Sequence, residues 1–271
     1  MNHFAQIQII LPPAPIFYIG PFPITNSMIS GVISVAVMFA LLLYARANVL
    51  RGKRNFVTGM IQWTIEGMYG QILDIIPDKK IAKSIAPLAL TMFFTVLFTY
   101  WASVLPGIGE VITVNGHPLF RSLATDLNFT FALAIIALVV AQGYAIKSHG
   151  VFGNIRRYAV NPFKNPIGAF EGLLEFIGEF SRFTALSLRL FGNAFAGEVL
   201  LAVVLLLSGY FASFSLPLFI AFELFIGFIQ AYVFMVLTCI FTALGVASHG
   251  APEPAHSPAN TVENETQHLG N

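Results

Sequence analysis

Five polar side chains in the last third of the chain sit where their chemistry has to be accounted for. Arg189, Asn193 and Glu198 lie in one long apolar stretch, and Glu223 and Gln230 lie in the next. A charge at the centre of a bilayer costs at least about 2.5 kcal/mol, so an intramembrane arginine is a functional candidate from the outset. At about 100° per residue, Ala185, Gly192, Asn193 and Ala196 fall within about 60° of the Arg189 direction. Small residues on one face let a second helix approach closely. Arg189 is therefore expected to face a partner helix across a small-residue seam, and not lipid. Arginine keeps its proton at any physiological pH. It is a poor proton carrier and a good fixed charge, able to attract a carboxylate on a moving partner and to block direct proton passage between two water paths.

An antiparallel hairpin turning near residue 210 sets Gln230 level with Arg189 and Glu198 beside Glu223. At about 1.5 Å per residue, the carboxylates stand about 10–14 Å from the arginine along the axis, toward the turn. Two carboxylates in one low-dielectric site cannot both ionise cheaply and should titrate as a coupled pair, which suits a proton relay. Glu198 lies about 180° around the helix from Arg189, so it points away from the arginine's seam unless the helix bends. Gln230, and Asn193 one turn away, can hold the guanidinium in place. The competing structural readings are an ion pair between Arg189 and Glu198 or Glu223, stray polar positions near helix ends for the glutamates, and a packing hydrogen bond for Gln230.

The elements that position these groups are those of an all-α integral membrane protein. Of 271 residues, 56% are hydrophobic and 10% charged, against about 25% charged in soluble domains. Residues 1–23 read as an irregular, Pro-rich external segment. The membrane domain, 24–248, holds about five crossing helices and one surface helix. Ile24 to Tyr44 is the first span, with Thr25 or Asn26 as cap. Residues 55–76 mix Trp63, Ile65 and Met68 with Gln62, Glu66 and Asp74, as a helix lying on the membrane surface does. Ser84 to Leu105 is the second span, with Pro87 in its first turn. The third begins at Asp126-Leu127-Asn128 and runs to about Ile146, with Asp126 a cap and dipole partner. Glu171, Glu175 and Glu179 form the solvated face of an amphipathic lead-in from Pro166. That lead-in runs into the Arg189 helix, which ends near Leu207. Residues 208–217 form a turn region, and Leu218 to Val246 is the last span. Asn128 and Gln142 are expected to hydrogen-bond between helices. The polar tail, 249–271, is expected to be disordered and cytoplasmic. Its His249, His256 and His268 are spaced too loosely to argue for a metal over a solvated tail.

Seven Lys and Arg lie between 46 and 83, five between 147 and 182, and one, Arg121, between 105 and 125. By the positive-inside rule the first two segments are cytoplasmic and the third external, which puts the N-terminus outside. No secretory signal is visible, so the first span serves as its own insertion signal. The single Cys239 lies in an apolar run and reads as a packing residue.

The motifs carry a resemblance. Leu188-Arg189-Leu190-Phe191-Gly192-Asn193, Ala196-Gly197-Glu198, Gln230-Ala231-Tyr232-Val233-Phe234 with Leu237-Thr238, and Asp126-Leu127-Asn128 resemble subunit a of the F-type ATP synthase across about 25–248. The resemblance implies the proton-conducting stator of the F0 sector, with two offset half-channels against a rotating c-ring. Arg189 is then the essential arginine and Gln230 its companion. Glu198 and Glu223, with Asn193, line the outer half-channel, and Asp126 and Asn128 are further candidates for its lining. Some members carry histidine at the position of Glu223 and serine at that of Ala185; here the choice leaves a carboxylate pair and no hydroxyl. The implied partners are the c-ring, the peripheral-stalk subunit b, the rest of the F1F0 complex and the lipid bilayer of a bacterial inner membrane. No cofactor, metal or nucleic acid is expected. The cytoplasmic half of the path has no sharp motif, and sodium in place of protons stays open because ion choice lies mainly on the ring.

Two rivals differ in class. A proton-coupled secondary transporter would use the same buried charges but predicts inverted repeats and broken helices, which the sequence lacks. An intramembrane enzyme needs a nucleophile and base, or paired aspartates, within its spans. There is also no phosphate loop or metal-spaced His/Cys set, so nucleotide chemistry is expected on another polypeptide.

Overall fold

The computed structural model describes residues 15–53, 55–104, 113–114, 117–118, 121–158 and 166–247. Most of the 106–125 segment, residues 159–165 and the tail with its three histidines lie outside the described residues.

The described chain begins with a hairpin, β1 (Pro15–Ile19) and β2 (Phe22–Thr25), where an irregular segment was expected. Prolines at 15, 21 and 23 exclude a helix but tolerate a two-stranded ribbon with open edges. Gly20, at φ +63°, opens the two-residue loop, a place glycine takes without steric cost. Helix α1 (Asn26–Leu50) follows directly, its first turn capped by the Thr25 hydroxyl accepting from the Met28 N–H at 3.4 Å. It runs past Tyr44 and carries Arg46 within its last turns.

Helix α2 (Phe56–Ile75) keeps Phe56 and Trp63 almost wholly exposed and is not among the helices apolar enough to cross a membrane. Helix α3 (Lys79–Val104) starts five residues before the expected Ser84, because Asp78 accepts from the Lys80 N–H at 2.8 Å and supplies an earlier cap. Pro87 therefore sits inside the helix, not in its first turn. Two short strands, β3 (Thr113–Val114) and β4 (His117–Pro118), pair in the following loop.

Helix α4 (Leu127–Tyr158) continues well beyond Ile146, broken at Gly150 by a backbone of φ 75° and ψ 162°. The helix thus outlasts the expected span end near Ile146 and turns a corner on a glycine. Helix α5 (Pro166–Ser208) is continuous, so the amphipathic lead-in and the Arg189 segment form one rod of 43 residues. The turn is only Gly209–Phe211, and α6 (Ala212–Val246) takes in Pro217, in the second turn of the helix. A full turn precedes it, so the proline withholds the N–H that the Ser213 carbonyl would otherwise accept.

Five helices, α1, α3, α4, α5 and α6, are long and apolar enough to span a membrane. At 1.5 Å per residue, α5 is about 65 Å long and α6 about 52 Å, against a hydrocarbon core of about 30 Å. Both are longer than an upright crossing requires. The core runs along α3, where Phe93, Val96, Leu97 and Tyr100 are buried against α6. Helix α5 is the least enclosed: 17% of its most apolar window is buried. That leaves most of its surface for lipid or another chain.

Candidate proton-path site

Helix α5 is attached by one face. Leu186, Ser187, Leu190, Ala194 and Gly197 are buried on it, and the Ser187 hydroxyl reaches Thr130 of α4 at 3.1 Å. Arg189 projects about 110° around the helix from that face. It is exposed, as are Ala185, Asn193 and Ala196 around it, and Gly192 is half-buried. Among the described residues Arg189 makes no hydrogen bond or ion pair. An ion pair with Glu198 or Glu223 inside the chain is therefore not what holds it.

Across the hairpin, Gln230 is 2% exposed and accepts from the Asn193 side-chain amide at 2.8 Å. Its own amide nitrogen is buried with no partner. The expected pairing is displaced by about one helical turn: Gln230 engages Asn193, not the guanidinium itself.

Both glutamates are brought to the same end of the hairpin, each with its own donor. Glu223 is 3% exposed, and its Oε1 accepts from the Tyr100 hydroxyl of α3. The neighbouring Trp101 indole donates to the Leu224 carbonyl at 2.9 Å, fixing α3 against α6 at this level. Gly197 lies against the Glu223 carboxylate, so closely that a β-carbon there would overlap it. Glu198 is half-buried and lies 3.2 Å from the Thr125 hydroxyl. That hydroxyl is also within reach of the Ser122 carbonyl, at 2.9 Å, and of Arg121 Nε, at 3.3 Å. The charges of Arg121 and Glu223 both act on Glu198. Glu198 thus turns away from the Arg189 face and toward the short helical turn of residues 123–125, while α5 stays continuous.

Asp126 and Asn128 stand apart from this pair. Asp126 caps α4, accepting from the Asn128 N–H at 3.0 Å, and accepts from the Ser27 hydroxyl of α1 at 3.1 Å. The side chain of Asn128 is exposed.

Sequence reasoning missed Tyr100 and Thr125, and it missed a cavity of about 120 Å³ toward the other end of the hairpin. Gln142, Glu175, Glu179 and Arg182 line its polar side, and Ala137 and Phe241 are among its apolar walls. Gln142 donates to Glu179 at 2.6 Å, and the Arg182 guanidinium lies 5.7 Å from the centre of the Phe241 ring. Glu171 is exposed as expected of a solvated face, but Glu175 and Glu179 turn toward α4. They continue the stripe that buries Leu186, a phase visible only once the packed face of α5 is known. At about 30 Å³ per molecule the cavity has room for about four waters.

With this geometry in view, the comparisons are decisive. The family profile described as ATP synthase A chain matches residues 28–243. Among similar curated proteins, ATP synthase subunit a of Enterococcus hirae is 31% identical over 232 residues, covering 83% of this chain and 93% of that one. ATP synthase subunit a of Mycobacterium tuberculosis is 32% identical over 224 residues, covering 80% and 85%. ATP synthase subunit a 2 of Vibrio campbellii is 33% identical over 211 residues, covering 75% and 82%. The chain belongs to the ATP synthase A chain family. It is a multi-pass membrane component of the ATP synthase, the proton-translocating stator subunit of the F0 sector, and the secondary-transporter alternative is not favoured.

Proposed function

We propose that Arg189 is the fixed charge that separates two proton half-channels in this stator and exchanges partners with the carboxylates of a passing c-ring. The observation that carries the reading is the uncovered Arg189 face: a cation with no partner among the described residues, flanked by Ala185, Gly192, Asn193 and Ala196, on a helix packed by another face. A buried charge in lipid needs an opposite charge nearby, and the small residues leave room for the helix that brings it.

Glu198 and Glu223 form the outer half-channel, the side to which the positive-inside rule assigns the 208–217 region. Protons pass from the pair to a ring carboxylate, neutralise it and travel around with the ring. Asn193 and Gln230 line the inner end of this path, and Gln230's spare amide donor can hold a water there. The cavity of Gln142, Glu175, Glu179 and Arg182 is the cytoplasmic half-channel, with water and ionisable groups for accepting the released proton. Asp126 and Asn128 lie at the rim of the outer path, Asp126 as a structural tie. The driving force is about 2.3 kcal/mol per charge per 100 mV.

The subunit has no catalytic site of its own; nucleotide chemistry belongs to other subunits of the F1F0 complex, with subunit b linking the stator to them. The domain from 24 to 248 carries the activity in a bacterial inner membrane, with the N-terminal segment outside and the 249–271 tail in the cytoplasm.

Cysteine crosslinking in the intact complex tests the docking face. Ala185→Cys and Ala196→Cys, about 16 Å apart along α5, should each form disulfides with cysteines placed at the matching level of a ring helix, whereas Ala194→Cys should not. Crosslinking from position 194 but not from 185 or 196 would overturn the assignment.

A further inference from the structure

Glu223 is enclosed by three features that together fix one rotamer. The Tyr100 ring, 1% exposed, occupies space left open by Gly227, one turn along α6; a β-carbon there would meet the ring. The Tyr100 hydroxyl donates to Oε1 of Glu223. On the far side the carboxylate abuts Gly197 of α5, beside Glu198. The Trp101–Leu224 bond holds α3 and α6 in the register that this contact needs.

We infer that Tyr100 is a positioning residue for proton transfer: its hydroxyl holds the Glu223 carboxylate against Gly197, the residue next to Glu198 in α5. The inference deepens the role proposed for Glu223 and rests on it. A carboxylate on a two-methylene stem has several rotamers, and those that turn away from α5 carry it off from the helix that bears Glu198. A hydroxyl that donates to one oxygen leaves the other free to take or give a proton. The phenol itself need not ionise, since it acts by direction and not by transfer. Among the described residues, the charged or titratable groups identified around Glu223 are Tyr100 from α3 and Glu198 from α5, with Arg121 acting on Glu198.

The test uses the whole F1F0 complex in proteoliposomes, comparing Tyr100→Phe, Glu223→Gln and the double variant. Tyr100→Phe keeps the ring in its slot and removes one hydroxyl, and the amount of assembled complex is measured alongside. Loss of an ordinary hydrogen bond predicts a fall in proton flux of about five- to tenfold, with a displaced pH profile. In the Glu223→Gln background the same change should have little further effect, because there is no carboxylate left to aim. An equal loss in both backgrounds would mean that the hydroxyl serves packing alone and would overturn the inference. So would normal flux in Tyr100→Phe beside a slow Glu223→Gln. Normal flux in Glu223→Gln alone would instead remove the role of Glu223 on which the inference depends.

Discussion

Gly197 of α5 and Glu223 of α6 touch so closely that no side chain fits between them: a β-carbon at 197 would overlap the carboxylate. This contact sets how near α5 and α6 come at the level of the two acids. Gly197→Ala must either push the carboxylate out of its slot or force the helices apart, an overpacking that costs about 1–3 kcal/mol. Proton flux should fall, and Glu223→Asp, shorter by one methylene, should recover part of it in the double variant. Flux assays on the single and double variants check this; full flux in Gly197→Ala would show that the contact has no part in conduction.

The Asn193–Gln230 bond predicts non-additivity. Asn193→Leu leaves the buried Gln230 amide without the partner it now has, at a cost of about 1–3 kcal/mol. Gln230→Leu strands the Asn193 amide less severely, because Asn193 is exposed. Adding Gln230→Leu to Asn193→Leu should therefore recover thermal stability of the assembled complex, since residues in one contact do not act independently. Melting curves of the three variants decide it.

At the other end of the hairpin, Glu179→Gln and Gln142→Leu should slow proton release, while Glu171→Gln, on the exposed face, should leave it unchanged. Flux measured in both directions across the membrane is the check. Equal effects at 171 and 179 would mean that the enclosed position of Glu179 carries no functional weight.

Asp126 predicts an effect on assembly and not on rate. It caps α4 and accepts from Ser27 of α1. Asp126→Ala should cost about 0.5–2 kcal/mol for the lost cap alone, lowering the yield of assembled complex. Turnover per assembled complex should change little, and quantifying both separates the two.

How much of this could be read from residue types depends on how local the signal is. Arg189 announces itself because a charge among apolar residues is conspicuous in a linear reading, and the hairpin follows from two long apolar runs around a short turn. The facing of Glu198 away from Arg189 follows from helical phase alone. Tyr100 gives no such signal: in a run with Phe93, Phe94, Phe98 and Trp101 it reads as packing, and its partner lies 123 positions away. Thr125 reaches Glu198 across 73 positions for the same reason. Glu175 and Glu179 resemble a solvated stripe because the phase of α5 against α4 is a tertiary fact. Boundaries failed where one residue outweighed composition: Asp78 capping α3 early, Gly150 carrying α4 around a corner, and Pro217 tolerated near a helix start.

The central claim is that one uncovered arginine keeps two proton paths apart. Arg189→Ala in the reconstituted F1F0 complex tests it most directly, with proton-driven ATP synthesis and passive proton leak measured on the same vesicles. The account predicts that synthesis is lost while the passive proton leak rises. Full proton-driven synthesis by Arg189→Ala would contradict it.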